Sequence, residues 1–156
     1  MRSAIARKEA FVHSMAEIGL AVPPEMVLIG DHTVEGGMRA LGELMRLHKP
    51  PTAVLCSNDM TAIGVMRESY DLGINVPRDL SVIGFDDIRL SEFMTPPLTT
   101  VQMSQTELAQ IAFQALMNDI AEATVGDEPK EYPLTTNLIL RRSTALARSN
   151  SARQRA

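Results

Sequence analysis

Short apolar runs that alternate with helix-patterned segments constrain the fold of this chain more than any other feature of its sequence. The runs are too short for helices and are typical of strands buried on both faces, and they lie at 26–29, 52–56, 80–85 and 99–101. Helical spacing of apolar residues predicts helices at 4–19, 33–47, 59–73 and 104–120, and a last extended segment is predicted at about 132–140. This order predicts an α/β protein with a doubly wound, mostly parallel sheet, helices on both faces and right-handed crossovers.

Local signals mark the ends of these predicted helices. Thr33 and Asp59 are predicted N-caps, and residues 104–107 spell a capping box. Gly36 and Gly37 weaken the first turns of their helix, so we expect something to approach that part of the backbone closely.

The composition is that of an ordinary globular protein. The chain has 156 residues, 45% of them apolar, and a formal net charge of −4. The single Cys56 cannot form an internal disulfide and favours a reducing compartment over secretion. No apolar run approaches the roughly 20 residues of a membrane span and no signal peptide opens the chain, so we expect a cytoplasmic protein without membrane contact. The acidic balance and the few aromatic side chains disfavour direct binding of nucleic acid.

Mostly polar residues follow the predicted strands, at the edge of the sheet where open α/β proteins bind their ligands. They are Asp31, His32, Ser57, Asn58, Asp59, Asp86, Asp87, Gln102 and Met103. Their carboxylates and amides can bind adjacent hydroxyl groups, but the set holds neither a Cys and His cluster for a metal nor a nucleophile beside a base. The sequence also lacks the glycine-rich phosphate loops and the Gly-x-Ser-x-Gly elbow, which disfavours the common enzyme classes.

Several of these residues also have a purely structural interpretation. Asp59 fits a helix cap, Asn58 can satisfy loop backbone, and His32 fits an exposed polar residue on its loop. Asp86 and Asp87 can form a solvated turn, although the repulsion between adjacent carboxylates at a strand end equally suits a functional role for one of them. The residue pattern leaves these alternatives open.

Four segments of the chain together resemble one known family. They are 51–64, which ends in Asn58-Asp59-Met60-Thr61-Ala62-Ile63-Gly64, then 73–87, then Pro96-Pro97-Leu98-Thr99-Thr100-Val101, and finally Arg142-Ser143-Thr144. In combination they resemble the effector-binding region of the LacI/GalR family of bacterial transcription regulators, over about residues 7–144. The resemblance implies two α/β subdomains, like those of periplasmic sugar-binding proteins, that close on a small effector such as a sugar or a purine. It also implies that closure changes the DNA affinity of an N-terminal helix-turn-helix in a dimer.

The resemblance assigns effector contacts to five positions and implies neither a cofactor nor a metal. Asp86 is similar to the carboxylate that accepts effector hydroxyls, and Asn58 to the amide beside it. Arg7 is similar to the arginine that donates to the ligand. His32 occupies a position where some members stack an aromatic ring on a sugar face, and Met103 stands where some have a polar ligand contact. A sugar-like effector is therefore expected.

The resemblance also implies where the domain and its partners lie. Residues 1–144 are expected to form a partial C-terminal effector-binding and dimerisation subdomain, followed by a disordered Arg- and Ser-rich tail at 145–156. Homodimer contacts are expected at 60–70 and 88–94, and operator DNA only through a helix-turn-helix absent from this chain. The central first strand should precede residue 3, where no residues are left to form it, so we expect a gap filled by another segment or a partner chain, or an unusually paired sheet.

Three functional hypotheses follow from the sequence. The leading one is the effector-sensing and dimerising part of such a regulator, without enzymatic activity and without DNA binding of its own. A second is a stand-alone sugar-binding module with no regulatory role. The third is a small enzyme that uses Asp86 and Asp87 with a divalent metal, which would need a further acidic or Lys side chain converging on the pair.

Overall fold

The computed structural model describes residues 2–122 and 131–147. The helices in these ranges are α1 (Arg2–Glu17), α2 (Val34–Met45), α3 (Asp59–Asp71), the short α4 (Leu90–Phe93) and α5 (Gln105–Glu122), and a 3-10 turn lies at Pro24–Met26. The strands are β1 (Ala53–Leu55), β2 (Ser81–Asp86), β3 (Thr99–Met103) and β4 (Thr136–Ile139). The strand and helix order predicted from the apolar runs is confirmed from α2 onward.

The four strands form one sheet in the order β1-β2-β3-β4. β1, β2 and β3 run parallel, with Leu55 opposite Ile83 and Asp86 opposite Gln102, whereas β4 runs antiparallel to β3. The predicted sheet, mostly parallel, is thus confirmed. Its parallel register brings the ends of β2 and β3 to the same edge of the molecule.

Helices lie on both faces of this sheet. The Arg7 side chain of α1 lies over the ring of Phe85, and a Cβ on Gly84 would collide with the carboxylate of Asp59 in α3. Neighbouring residues of a strand point to opposite faces. Because Gly84 and Phe85 are adjacent in β2, α1 and α3 cover opposite faces.

The apolar core lies between α2, α3 and the α3 side of the sheet. Its buried members are Leu41, Cys56, Ala62, Val65, Met66, Leu80, Val82 and Leu98. Burial, and to a smaller degree the charge of Asp59, raises the pKa of the Cys56 thiol to about 12. Cys56 is therefore a small core residue and not a reactive thiol.

The expected close approach at the start of α2 is present. A Cβ on Gly36 would collide with the carbonyl oxygen of Gly30, and a Cβ on Gly37 with that of Thr61 in α3. The missing side chains thus let α2 pack directly on the backbone of α3 and of the loop before α2. This contact fixes that loop, which carries His32, beside the N-terminus of α3.

Two of the three predicted N-caps are confirmed and one is wrong. Thr33 accepts a hydrogen bond from the Gly36 N–H at 2.9 Å, and Ser104 accepts one from the Glu107 N–H at 3.2 Å. The cap of α3 is Asn58 and not Asp59, because the Asn58 side chain accepts from the backbone of the first turn. Both types suit that position, so the sequence could not separate two adjacent candidates.

The predicted strand at 26–29 is wrong in the described structure. Residues 24–26 form the 3-10 turn, and although Val27 has extended backbone, Ile29 is 85% exposed and pairs with no strand. A segment becomes a strand only when a neighbour completes its hydrogen bonds. In the described part of the chain β1 pairs with β2 alone, and what lies beside its other edge stays a prediction.

The C-terminal segment is packed against the sheet beyond the predicted domain limit. The buried Ser143 hydroxyl donates to the Val82 carbonyl at 2.6 Å and accepts from the Thr99 N–H at 2.7 Å. Ala145 is still hydrogen-bonded to the first residue of β2. The rest of the predicted tail, at 148–156, lies outside the described residues.

Candidate functional site

The loops after β1 and β2, the loop before α2 and the helix α1 bring most of the predicted site residues together. Because parallel strands end at one edge of the sheet, Asn58 follows β1 beside the end of β2, where Asp86 lies. We call the resulting group the strand-end cluster. Its members are Arg7, His32, Ser57, Asn58, Phe85 and Asp86.

Arg7 is fixed by two contacts. Its guanidinium carbon lies 3.7 Å from the centroid of the Phe85 ring, and one N–H donates to the backbone carbonyl of Ser57. The aromatic face orients the planar group and partly replaces its water. The structure therefore holds a planar multiple donor at the predicted place, with further N–H groups to offer a ligand.

Asn58 and His32 form a polar link between two loops. The Asn58 amide donates to the His32 carbonyl at 3.2 Å, while its oxygen accepts the Thr61 N–H at 2.9 Å and caps α3. The His32 Nδ1 lies 3.3 Å from the Ser57 hydroxyl. Both residues thus have a structural role as well as a place in the strand-end cluster.

Asp86 is half-buried, and within the described residues no hydrogen-bond donor is assigned to its carboxylate. Burial raises the pKa of this carboxyl above its ordinary value of 3.8, opposed by the charge of Arg7 and, more weakly, of His32, while Asp59 raises it further. A carboxylate and a nearby guanidinium can together bind adjacent hydroxyl groups through charge-assisted hydrogen bonds. Asp86 is therefore a carboxylate available to a ligand.

Backbone strain is concentrated around this cluster. Among the described non-glycine residues, those with positive φ are Asp31 (52°), His32 (57°), Asp86 (113°) and Asp87 (53°). Such conformations persist only where surrounding contacts hold them, and they are frequent at binding sites. Asp31 and His32 lie in the loop before α2, whereas Asp86 ends β2 and Asp87 follows it.

Asp87, in contrast to Asp86, is already paired. Its two oxygens accept hydrogen bonds from Arg141 at 2.7 Å and from Gln102 at 2.8 Å. The two neighbouring carboxylates consequently serve different purposes, and the pair does not form the joint metal ligand that the enzyme hypothesis requires. In the described ranges, no group of three or more His, Cys, Asp and Glu side chains is placed to hold a metal ion.

Met103 is the predicted site residue whose side chain has no hydrogen bond or ring contact with the strand-end cluster in the described residues. It is the last residue of β3, one position beyond Gln102, which lies opposite Asp86, and its own partner in β4 is Thr136. Its assignment as a ligand contact stays a prediction.

Three further residues build the site; the sequence named Ser57 and Asp59 among the strand-end residues without giving them a site role, and it missed Phe85. Asp59 is fully buried and accepts hydrogen bonds from the Ser91 and Thr100 hydroxyls, both at 2.6 Å, and from a backbone N–H at 2.9 Å. Ser57 and Phe85 hold Arg7. The sequence signal for Ser57 is its position directly after a strand, and for Phe85 its place next to Asp86 on the strand face opposite Gly84.

All six residues of the strand-end cluster are half-buried. Depressions of about 510 and 580 Å³ lie along α5 and between α2 and α3, and neither is lined by a residue of the strand-end cluster. Within the described ranges, none of the helices combines the length and apolarity that crossing a bilayer demands.

A match to the model of a known protein family identifies the family of this chain. The model of the periplasmic binding protein-like domain matches residues 2–144. The chain belongs to this family. The match covers every element described above, including α1 with Arg7 and the C-terminal segment with Ser143.

Relatives of this periplasmic binding protein-like domain are transcriptional repressors. The chain is 39% identical over 137 residues to the HTH-type transcriptional repressor PurR of Glaesserella parasuis serovar 5 (strain SH0165), which covers 88% of this chain and 39% of the relative. It is 36% identical over 138 residues to the HTH-type transcriptional repressor CytR of Escherichia coli (strain K12), covering 88% and 40%. The chain thus spans about two fifths of the length of these relatives.

A solved structure of a transcriptional regulator also resembles this domain. The complex of the transcriptional regulator CelR with cellobiose has a TM-score of 0.82 and 27% sequence identity, and the match covers 89% of this chain and 42% of that one. The resemblance to the effector-binding region of LacI-type regulators, drawn from the motifs around Asn58 and Asp86, is confirmed by these comparisons.

Proposed function

We propose that this domain senses a small hydroxyl-bearing effector for a LacI-type transcription regulator, with the strand-end cluster as one wall of the effector site. The observation that carries the proposal is the place of Asp86, a half-buried carboxylate with no hydrogen-bond donor among the described residues, near the ring-supported guanidinium of Arg7. A carboxylate and a guanidinium together bind adjacent hydroxyl groups, the first as acceptor and the second as donor, and they catalyse no reaction of the ligand.

A sugar-like ligand fits this wall best. The edge of a sugar ring offers neighbouring hydroxyls to Asp86 and Arg7, and the polar groups of His32 and Asn58 lie on the two adjoining loops. The structural relative CelR, which was solved with cellobiose, supports this class of ligand. An enzymatic role is not favoured, because Asp87 is committed to Arg141 and Gln102.

Binding to operator DNA would be the task of a separate segment of the regulator. The domain carries a formal net charge of −4, which repels the phosphate backbone. The named relatives are HTH-type repressors more than twice as long as the matched region. A cytoplasmic location agrees with this role.

A thermal-shift screen of the chain against glucose, cellobiose, ribose 5-phosphate and adenine tests the proposed effector site. A ligand should raise the Tm of the wild type, and Asp86→Asn should lower its affinity about tenfold or more by removing a charged acceptor. Arg7→Lys should also weaken binding, because the planar fork is lost. The matched control is Asp71→Asn, whose exposed ion pair with Arg67 lies on the far end of α3. Equal affinity of the Asp86 variant and the wild type would overturn the proposal.

We also propose that the domain forms a homodimer through α3 and the α4 region. Large apolar side chains on these elements are solvent-exposed in the single chain, namely Met60 (41%), Tyr70 (78%), Leu90 (49%) and Phe93 (65%). Sedimentation analysis should find a dimer for the wild type and a monomer for Phe93→Glu. Phe113→Glu, at an equally exposed position on α5, should leave the dimer intact, and dissociation of both variants alike would contradict this interface.

A further inference from the structure

Arg141, near the C-terminal end of the described chain, makes an unusually complete set of contacts with the loop after β2. Its guanidinium donates to the Asp87 carboxylate at 2.7 Å and to the Leu98 carbonyl at 2.9 Å. The Arg141 side chain is 18% exposed and the Asp87 side chain 11%. Screening by water is therefore weak, which separates this pair from the exposed ion pairs elsewhere on the surface.

Gln102 also binds the Asp87 carboxylate. Its amide donates to the second Asp87 oxygen at 2.8 Å, and its position in β3 is directly opposite Asp86 in the sheet register. The Asp87 N–H also points to the Thr100 hydroxyl, at 3.4 Å. Both oxygens and the backbone of Asp87 are thus held from two sides. We call Asp87, Gln102 and Arg141 the Asp87 clamp.

The backbone around Asp87 needs such a clamp. Asp86 and Asp87 have φ angles of 113° and 53°, both in the region that L-residues avoid. Without contacts that hold it, the turn would relax to ordinary conformations and the Asp86 side chain would leave its half-buried position. The N–H of the next residue, Ile88, donates separately to the buried Asp59 carboxylate at 2.9 Å. This bond fixes the backbone after Asp87, so the strained conformations are those of Asp86 and Asp87.

We propose that Arg141 is a positioning residue for the effector site, which acts through Asp87 to hold the Asp86 carboxylate in the strand-end cluster beside Arg7. This inference deepens the proposed effector-binding function and rests on it. The Arg141 guanidinium is bonded to Asp87 and to the Leu98 carbonyl, so it acts on the site through the turn that carries Asp86.

Carboxyl-detected NMR of the free chain tests the clamp without any effector. Burial raises the pKa of Asp86 in the wild type. In Arg141→Gln the released turn should expose Asp86, and its pKa should fall back toward 3.8. Arg142→Gln is the matched control, because the Arg142 side chain is exposed and this residue is held through its backbone N–H, which donates to the Pro97 carbonyl at 3.0 Å. An unchanged Asp86 pKa in a folded Arg141→Gln variant would overturn the proposal.

Two further variants separate positioning from general stability. Arg141→Lys keeps the charge near Asp87 and should leave Asp86 closer to its wild-type pKa than Arg141→Gln does. Asp87→Asn should reproduce the effect of Arg141→Gln, and the double variant should add little, since both remove the same contact. Amide exchange should accelerate at Asp87, while Ile88, whose N–H is bonded to Asp59, and the amides of α3 keep their rates. Acceleration spread evenly over α3 would show a merely structural role and reject the clamp.

Measurements of effector affinity separate a failure of the Asp87 clamp from a failure of the proposed function. With a ligand found by the thermal-shift screen, Arg141→Gln should lower affinity about tenfold, roughly the effect of misplacing one charged acceptor. Should Asp86→Asn leave affinity unchanged, the proposed function fails, although the NMR result on the clamp stands by itself. Should Asp86→Asn abolish binding while Arg141→Gln preserves both affinity and the Asp86 pKa, the clamp alone is rejected.

Discussion

Two carboxylates near the same strand ends, Asp59 and Asp86, differ in what surrounds them, and the difference assigns their roles. Asp59 is fully buried among three donors, whereas Asp86 is half-buried with no donor assigned within the described residues. The first is satisfied by the protein, and the second can be satisfied by a ligand. The sequence identified Asp86 by its position after a strand. It could not identify Asp59 as a buried acceptor, because its donors Ser91 and Thr100 lie far away along the chain.

Asp59→Asn should destabilise the domain by about 3 to 5 kcal/mol, because an amide nitrogen would face donors that now converge on a buried carboxylate. Chemical denaturation monitored by circular dichroism measures the free energy of unfolding. The control Asp71→Asn breaks an exposed ion pair with Arg67 and should cost less than about 1 kcal/mol. Equal losses for both variants would contradict the buried role of Asp59.

Asp86→Asn should leave the fold as stable as the wild type or more stable near neutral pH, with a difference that depends on pH. The folded pKa of Asp86 is raised above its ordinary value, so the folded state holds the proton over the interval between them. Stability due to this group is therefore present at low pH and is lost as pH rises through the folded pKa. The Tm of Asp86→Asn minus that of the wild type should increase across that interval. A difference that is constant or decreases with pH would refute this sign.

At the scale of elements, the contact between α2 and α3 depends on missing side chains. A Cβ on Gly64 of α3 would collide with the Val34 carbonyl oxygen, so the two helix backbones touch where the chain has glycine. The helices and the caps of α2 and α5 can be predicted because caps and apolar spacing are local signals, whereas two adjacent candidates, Asn58 and Asp59, left the cap of α3 undecided. The segment 26–29 could not be predicted, since the same apolar run forms a strand only beside a neighbouring strand.

Gly64→Ala should cost about 1 to 3 kcal/mol, the range of overpacking at a rigid contact, and should shift α2 away from α3. Gly42→Ala is the matched control on α2, where a Cβ would meet only the Glu68 side chain at 3.7 Å, an ordinary contact. It should stabilise the domain by up to about 1 kcal/mol through helix propensity. Urea denaturation of both variants checks the opposite signs, and destabilisation by Gly42→Ala would show that the helix contact extends further than the structure indicates.

At the scale of the molecule, β1 and β4 are the two edge strands of the sheet in the described chain, and β1 is the edge of its parallel part. In a parallel pair, alternate residues direct both backbone groups to the same neighbour. The Cys56 N–H donates to the Ile83 carbonyl at 2.8 Å, and the Thr52 carbonyl accepts from the Ser81 N–H at 2.9 Å. The Leu55 N–H therefore faces the other side of β1, and the Leu55 side chain is 45% exposed.

Amide exchange followed by NMR distinguishes the two sides of β1. The Cys56 amide should be strongly protected by its bond to β2, whereas the Leu55 amide, one residue away, should exchange nearly as fast as in an unfolded peptide. The contrast should hold at every protein concentration if nothing covers this edge. Protection of the Leu55 amide that increases with protein concentration would show that a second copy of the chain pairs with β1, because exposed edge strands readily pair with other chains. Protection of Leu55 independent of concentration would contradict the open edge, because it would require a neighbouring strand from the same chain.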